Sequence, residues 1–139
     1  MIVLVDDNVL LDVLQERQPH YNYSNNVWDF CANGHNIIGY ISALTIADIV
    51  YIMRKEITYD KIDVLLARVS KVFRVADLTL QDLTTAANMK WRDFEDAVQS
   101  AIASRINANY IITRNVKDFQ GSKVQAVTPE DYFTNIFVI

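Results

Sequence analysis

The chain has 139 residues, a length that fits one domain with a substantial apolar core. Of these residues 51% are hydrophobic and only three are Gly and two Pro, a composition that excludes a long disordered segment. The single cysteine, Cys31, and the two histidines exclude an internal disulfide, a cysteine-based zinc site and a His-rich metal centre. The net charge of −4 argues against non-specific attraction to nucleic acid, but not against an enzyme whose bound divalent cations offset clustered carboxylates.

Short apolar strands alternate with amphipathic helices along the chain. Local signals mark several boundaries: Asn33-Gly34 is a typical helix end, Ser42 a typical N-cap, and Thr79 and Asp82 have capping-box spacing. In chain order, we predict a strand at Met1–Val5, helices at Val9–Leu14 and Tyr21–Ala32, a strand at Asn36–Ile41, helices from Ser42 to about Lys55 and at Tyr59–Lys71, a strand at Phe73–Ala76, helices from Thr79 towards Met89 and at Asp93–Asn107, strands at Tyr110–Thr113 and Val124–Val127, and a helix starting at Thr128-Pro129-Glu130. This alternation predicts one α/β domain over residues 1–139, with a central, mainly parallel sheet between two layers of helices.

Two further features concern the compartment. No apolar run approaches the roughly 20 residues that a membrane span needs. The first eight residues, MIVLVDDN, are acidic and lack the basic flank of a signal peptide. We therefore expect a cytoplasmic protein that does not enter the membrane.

Acidic residues follow or flank the predicted strands. They lie after the first strand, in the helix after the second strand, at the start of the helix before the Tyr110 strand, and after that strand: Asp6, Asp7, Asp48, Asp93, Asp96 and Asp118. Because ligands of parallel α/β sheets bind outside the carboxyl ends of the strands, we expect these acids to converge at one edge. A single aspartate at such a position is usually a cap or turn residue, so the prediction depends on the whole set.

The helix that begins near Asp93 presents its acids on different faces. On a helical wheel Asp93, Asp96 and Ser100 share one face, whereas Glu95 points away from Asp93 and is expected in solvent. Gathered carboxylates repel one another, so the cluster persists only if cations or protons neutralise it. Oxygen ligands without His or Cys favour Mg²⁺ or Mn²⁺, and hydrolysis of a phosphodiester is the chemistry that suits such a site.

Four segments resemble, in their order and spacing, the motifs of PIN-domain nucleases. They are Val5-Asp6-Asp7-Asn8 onward to Asp12, Ile41-Ser42-Ala43-Leu44-Thr45 through Asp48, Asp93-Phe94-Glu95-Asp96-Ala97, and Thr113-Arg114-Asn115 followed by Asp118-Phe119. The resemblance extends from Met1 to the region of Pro129. Two positions depart from the family pattern: Asp7 replaces a small hydroxyl residue, and Asp48 stands where a glutamate is commoner.

The resemblance implies a metal-dependent endoribonuclease that hydrolyses RNA phosphodiester bonds. It assigns the catalytic, metal-binding positions to Asp6, Asp48, Asp96 and Asp118, with Asn8, Asp93, Thr113 and Asn115 as auxiliary residues. Many bacterial members are the toxin of a VapBC-type toxin–antitoxin pair, which implies an antitoxin partner here; a homodimer is also open. Arg114 and Lys117 are candidates for contacts with substrate phosphates, with solvated loop charges as the alternative.

Two other functions compete with this one. The first is a PIN scaffold that has lost catalysis and binds RNA or a protein partner, although all four acidic positions are filled. The second is a phosphoacceptor receiver domain, because the start of the chain also resembles the acidic pair of that family. A receiver needs an acceptor aspartate at the end of a strand, whereas Asp48 is predicted to lie in a helix.

Overall fold

The computed structural model describes residues 1–34 and 36–136. The strands are β1 (Ile2–Val5), β2 (Ile38–Ser42), β3 (Arg74–Ala76), β4 (Tyr110–Ile112) and β5 (Gln125–Val127). The helices are α1 (Asp7–Leu14), α2 (Tyr21–Asn33), α3 (Ala43–Ile52), α4 (Ile62–Ser70), α5 (Leu80–Met89), α6 (Phe94–Arg105) and α7 (Pro129–Asp131), and single-turn or irregular helical segments cover Tyr59–Lys61, Val116–Phe119 and Tyr132–Ile136. The predicted domain also includes residues 137–139, which lie outside the described residues.

The five strands form one parallel sheet in the order β3-β2-β1-β4-β5. Strand β1 is therefore central, and the chain leaves it first towards β2 and later returns to β4 on its other side. Such a reversal opens a crevice between the carboxyl ends of the two strands, where ligands bind in parallel α/β folds. In this chain the crevice lies between Asp6, which follows β1, and Thr113, which follows β4.

The sheet separates two hydrophobic cores, which makes the domain a three-layer α/β/α structure. Val3, Val5 and Ile112 point to one face and pack with residues of α1 to α4, whereas Leu4 and Ile111 point to the other and pack with α5 and α6. This alternation explains why the strands are continuous apolar runs: each is buried on both faces. The predicted fold class is confirmed.

The predicted elements are all found, with shifts at their ends. Ser42 and Thr79 cap α3 and α5 through their side chains, and Thr79 forms a complete capping box with Asp82. Helix α3 ends at Ile52 instead of near Lys55, and the helix predicted from Tyr59 begins with a 3₁₀ turn. In the part of the chain that the structure describes, no helix is long and apolar enough to cross a membrane.

Candidate active site

Asp6 is the most enclosed of the predicted acidic site residues, with 5% of its surface exposed. It caps α1: its Oδ1 accepts a hydrogen bond from the backbone N–H of Asp7 at 2.9 Å. Its Oδ2 accepts from the hydroxyl of Thr113 at 2.8 Å and from Nδ2 of Asn8 at 3.4 Å. Burial raises the pKa of Asp6 above its ordinary value although these hydrogen bonds oppose the shift.

The polar residues after β1 and β4 join the two ends across the crevice. Asn8 Nδ2 donates to Thr113 Oγ1 at 3.2 Å, and Asn8 Oδ1 accepts from the backbone N–H of Arg114 at 3.2 Å. The backbone N–H of Asn115 donates to Thr113 Oγ1 at 3.1 Å. The structure thus brings Asn8 and Thr113 directly to Asp6, whereas Asn115 joins the network through its backbone.

Asp96 lies in the first turn of α6, beside the same crevice. Its backbone N–H donates to the Oδ1 of Asp93 at 3.1 Å, so Asp93 is the N-cap of this helix. Burial, followed by the charges of Asp93, Asp6, Asp118 and Asp7, raises the pKa of Asp96 to about 7. Charges from three separate segments thus act on Asp96, and its role as a metal ligand stays a prediction.

Two more acids adjoin this group on the side of α3. Burial and the charges of Asp6 and Asp48 raise the pKa of Asp7 to about 7. Partial burial raises the pKa of Asp48, and a hydrogen bond from Glu95 opposes that shift. Glu95 is exposed, as the helical wheel suggested. Partial burial and the nearby carboxylate of Asp48 nevertheless raise its pKa.

The wheel gave the correct angle between Glu95 and Asp93 but not the neighbour on that side. Because α3 brings Asp48 next to α6, Glu95 reaches a second part of the same acidic group. Glu95 is thus an exposed acid whose proximity to Asp48 sequence reasoning missed. Its adjacency to Asp96 was the available signal.

Asp118 and Lys117 lie on the 3₁₀ segment Val116–Phe119 and are both exposed. With Trp91, Arg92 and Gln120 they line an open cleft that also includes Asp93. The charge of Asp118 reaches Asp96, which connects the cleft to the acidic group. The contact predicted between Lys117 and a substrate phosphate stays a prediction.

Arg114 has a partner that the sequence did not indicate. Its Nε and Nη2 donate to the two carboxylate oxygens of Asp12 at 2.8 and 3.1 Å, and the hydroxyl of Ser24 donates to Asp12 at 2.9 Å. Asp12 is fully buried, so this bidentate ion pair ties the segment after β4 to α1 and α2. Arg114 is therefore not a solvated loop charge, and a phosphate contact through its remaining nitrogen, Nη1, stays a prediction.

Gln99 is a second site residue that sequence reasoning missed. It is 5% exposed, and its Nε2 donates to Asp6 Oδ1 at 3.3 Å and to Thr45 Oγ1 at 2.8 Å. Among the described residues, its Oε1 is the one buried side-chain oxygen or nitrogen without a hydrogen-bond partner. The signal was present in the sequence, because Gln99, beside Ser100, is a polar residue three positions after Asp96 among mostly apolar neighbours in α6.

The donor set restricts the kind of metal ion that fits. Within residues 1–34 and 36–136, no three Asp, Glu, His or Cys side chains converge closely enough to enclose one ion. A cation that needs an all-protein cage does not fit, whereas Mg²⁺ typically takes one or two carboxylates and keeps several waters. Paired carboxylates with raised pKa values and an unpartnered buried amide oxygen suit a hydrated divalent cation of this kind.

Fold and site together define a class: a parallel α/β domain with an acidic centre at the switch point of its sheet. The family model described as the PIN domain matches residues 2–117. The chain belongs to the PIN-domain family. This assignment excludes the receiver alternative, and Asp48 indeed lies within α3 instead of at a strand end.

Solved structures with the same fold include components of toxin–antitoxin systems. The VapBC2 structure from Rickettsia felis, bound to a promoter DNA fragment, matches with TM-score 0.69 and 17% identity over 92% of this chain and 98% of the other. A toxin–antitoxin complex from Klebsiella pneumoniae matches with TM-score 0.70 and 22% identity over 91% and 97%. VapC20 of Mycobacterium tuberculosis, described as a sarcin–ricin loop cleaving toxin, matches with TM-score 0.62 and 15% identity over 78% and 86%. No curated protein sequence matches the chain.

Proposed function

We propose that this protein is a Mg²⁺- or Mn²⁺-dependent endoribonuclease and the toxin of a VapBC-type toxin–antitoxin pair. The observation that carries the proposal is that α6, which carries Asp96 in its first turn, packs against Asp6 at the carboxyl edge of the sheet, where Gln99 of α6 donates to Asp6 Oδ1 at 3.3 Å. Membership of the PIN family supports a nuclease. The toxin descriptions of the structural neighbours support the biological role.

In this mechanism Asp6 and Asp96 would hold the cation, and Asp118 and the Asp48–Glu95 pair extend the acidic surface around it. When bound there, a divalent cation would supply Lewis-acid activation of water and of the scissile phosphate. Thr113 and Asn8 fix the orientation of the Asp6 carboxylate by donating to its Oδ2.

Substrate RNA has to approach an acidic centre, so cations around it matter. Lys117 provides an exposed positive charge in the adjoining cleft, next to Asp118. We propose that it contacts a phosphate close to the scissile bond, and that single-stranded or loop RNA is preferred because its backbone is accessible.

Cleavage of a labelled single-stranded RNA by the purified protein tests the catalytic proposal. Mg²⁺ or Mn²⁺ should be required, and Asp6→Asn or Asp96→Asn should lower the rate by about 100-fold or more, since a metal ion contributes several kcal/mol to the transition state. Asp29→Asn is the matched control, because Asp29 is an exposed aspartate on α2. Full activity in EDTA, or in either site variant, would refute metal-dependent catalysis. RNA binding without cleavage under all conditions would favour the inactive scaffold.

The antitoxin proposal draws on exposed apolar side chains of α3 and α4. Tyr51 and Val64 are 65% and 60% exposed, and Ile52 and Leu66 are both 42% exposed. Large exposed apolar groups on neighbouring helices typically mark a protein interface. We propose that the product of an adjacent gene covers them.

Growth of a bacterial host tests this part. Expression of the wild-type protein should arrest growth, and co-expression of the adjacent gene should restore it. The double variant Val64→Ser/Leu66→Ser should keep nuclease activity but escape neutralisation. Neutralisation of that variant as efficient as that of the wild type would place the antitoxin elsewhere.

A further inference from the structure

Gln99 has an acceptor for which residues 1–34 and 36–136 provide no donor. The side chain is almost completely buried, both hydrogen bonds from its Nε2 go to site residues, and its Oε1 has no partner among the described residues. A buried acceptor without a donor costs free energy, so native structures usually supply water or a ligand at such an atom. Because Nε2 of the same amide lies 3.3 Å from Asp6 Oδ1, the proposed cation site is a source for that donor.

The orientation of the amide follows from its neighbour. If the amide were reversed, Oε1 would face the Oδ1 of Asp6 at the 3.3 Å that Nε2 now occupies, and two acceptors would oppose each other. The Asp6 carboxylate therefore directs Nε2 towards itself and Oε1 away. In this orientation Nε2 also donates to Thr45 Oγ1 at 2.8 Å.

The dimensions suit a water molecule of the cation's hydration shell. The two heteroatoms of an amide lie about 2.3 Å apart, which places Oε1 within about 5.6 Å of Asp6 Oδ1. Two coordination bonds of about 2.1 Å and one hydrogen bond of about 2.8 Å span such a separation. Because no three acidic side chains converge on one ion in the described residues, a bound Mg²⁺ keeps water ligands that need acceptors.

We infer that Gln99 is a positioning residue whose Oε1 accepts a hydrogen bond from water in the hydration shell of the cation held by Asp6. The inference rests on the proposed metal-dependent function. It assigns to Gln99 two tasks at once: Nε2 fixes the carboxylate, and Oε1 fixes the water. Gln99 holds a ligand of the metal and does not itself contact the reacting phosphate.

The test is metal binding to the intact protein, measured by calorimetry and by the Mg²⁺-induced rise of the thermal midpoint. Gln99→Met keeps the volume and removes both polar atoms; we expect its Mg²⁺ dissociation constant to rise about tenfold or more. Without metal, its midpoint should stay level or rise, because the unpartnered acceptor is gone. Gln81→Met, an exposed glutamine on α5, is the matched control and should bind Mg²⁺ as the wild type does.

A second variant keeps the test decisive if Gln99→Met folds poorly. Gln99→Glu retains acceptor oxygens and adds negative charge near Asp6, so it should lower the metal-free midpoint yet bind Mg²⁺ at least as tightly as the wild type. Mg²⁺ binding by Gln99→Met within twofold of wild type, or weaker binding by Gln99→Glu, would overturn the inference. Failure of the wild type itself to bind Mg²⁺ or Mn²⁺ would instead refute the proposed function.

Discussion

The ion pair between Arg114 and Asp12 allows a quantitative prediction. Asp12 is fully buried, and its two carboxylate oxygens accept hydrogen bonds from Arg114 and Ser24. Arg114→Met keeps an unbranched apolar side chain but leaves a buried carboxylate with Ser24 as its remaining side-chain donor. Removing one partner of a buried pair typically costs about 3–5 kcal/mol, and we expect the lower end because 26% of the Arg114 side chain is exposed.

Urea unfolding followed by tryptophan fluorescence measures this loss as a lower midpoint with an unchanged m-value. Lys117→Met is the control, because Lys117 is an exposed cation three residues further along the same segment; its effect should stay within about 0.5 kcal/mol. The double variant Asp12→Leu/Arg114→Met removes the buried charge together with its partner. It should be more stable than Arg114→Met alone, since an apolar pair of similar volume often replaces a buried ion pair without loss.

The outcome also decides how Arg114 takes part in catalysis. Two results would contradict a strong stabilising role for the buried pair. One is a loss of less than about 1 kcal/mol in the unfolding free energy of Arg114→Met. The other is a double variant that is less stable than Arg114→Met. If stability falls as expected while the KM for RNA is unchanged well below the unfolding midpoint, Arg114 fixes the Thr113 segment and does not bind phosphate.

Three further predictions concern the acidic group and its cleft. Burial and neighbouring charges raise the pKa of Asp7 and Asp96 from 3.8 to about 7, so the folded state binds these protons more tightly; metal-free stability should fall from pH 5 to pH 8, and Asp96→Asn should flatten the profile. A rise over that range would contradict it. Glu95→Gln should slow RNA cleavage more than Asp93→Asn does, because an asparagine at position 93 still caps α6. Equal cleavage rates in the two variants would contradict a role for Glu95 in the acidic group. Lys117→Ala should raise the KM for RNA several-fold and should lower the slope of log affinity against log salt concentration by about one phosphate contact. An unchanged slope would contradict a contact between Lys117 and a phosphate.

Local signals were sufficient to predict the fold. The strands are apolar on both faces because helices cover both sides of a parallel sheet, and the N-caps Ser42 and Thr79 depend only on residues three positions away. The end of α3 was less predictable, since the apolar periodicity continues past Ile52 while the backbone turns at Met53. Propensity does not specify where such a turn occurs.

The acids of the site were predictable as a group because parallel strands deliver their carboxyl ends to one edge. The contacts that organise the group were not, because they join residues distant in sequence: Gln99 and Asp6 are 93 positions apart, and Arg114 and Asp12 are 102 apart. A helical wheel orders the residues of one helix but does not identify its neighbours. This is why the proximity of Glu95 to Asp48 was not predicted.

The charge of the protein and its stability are linked through the acidic group. Burial and repulsion raise the pKa of Asp7 and Asp96 to about 7, so protons neutralise part of the cluster near neutral pH. If the proposed function holds, a divalent cation has to displace those protons, and we expect metal affinity to decrease as the pH falls below 7. The repulsion that destabilises the metal-free protein would then contribute to the free energy of cation binding. In that case a chain with a net charge of −4 binds a polyanion because the metal converts an acidic group into a phosphate site.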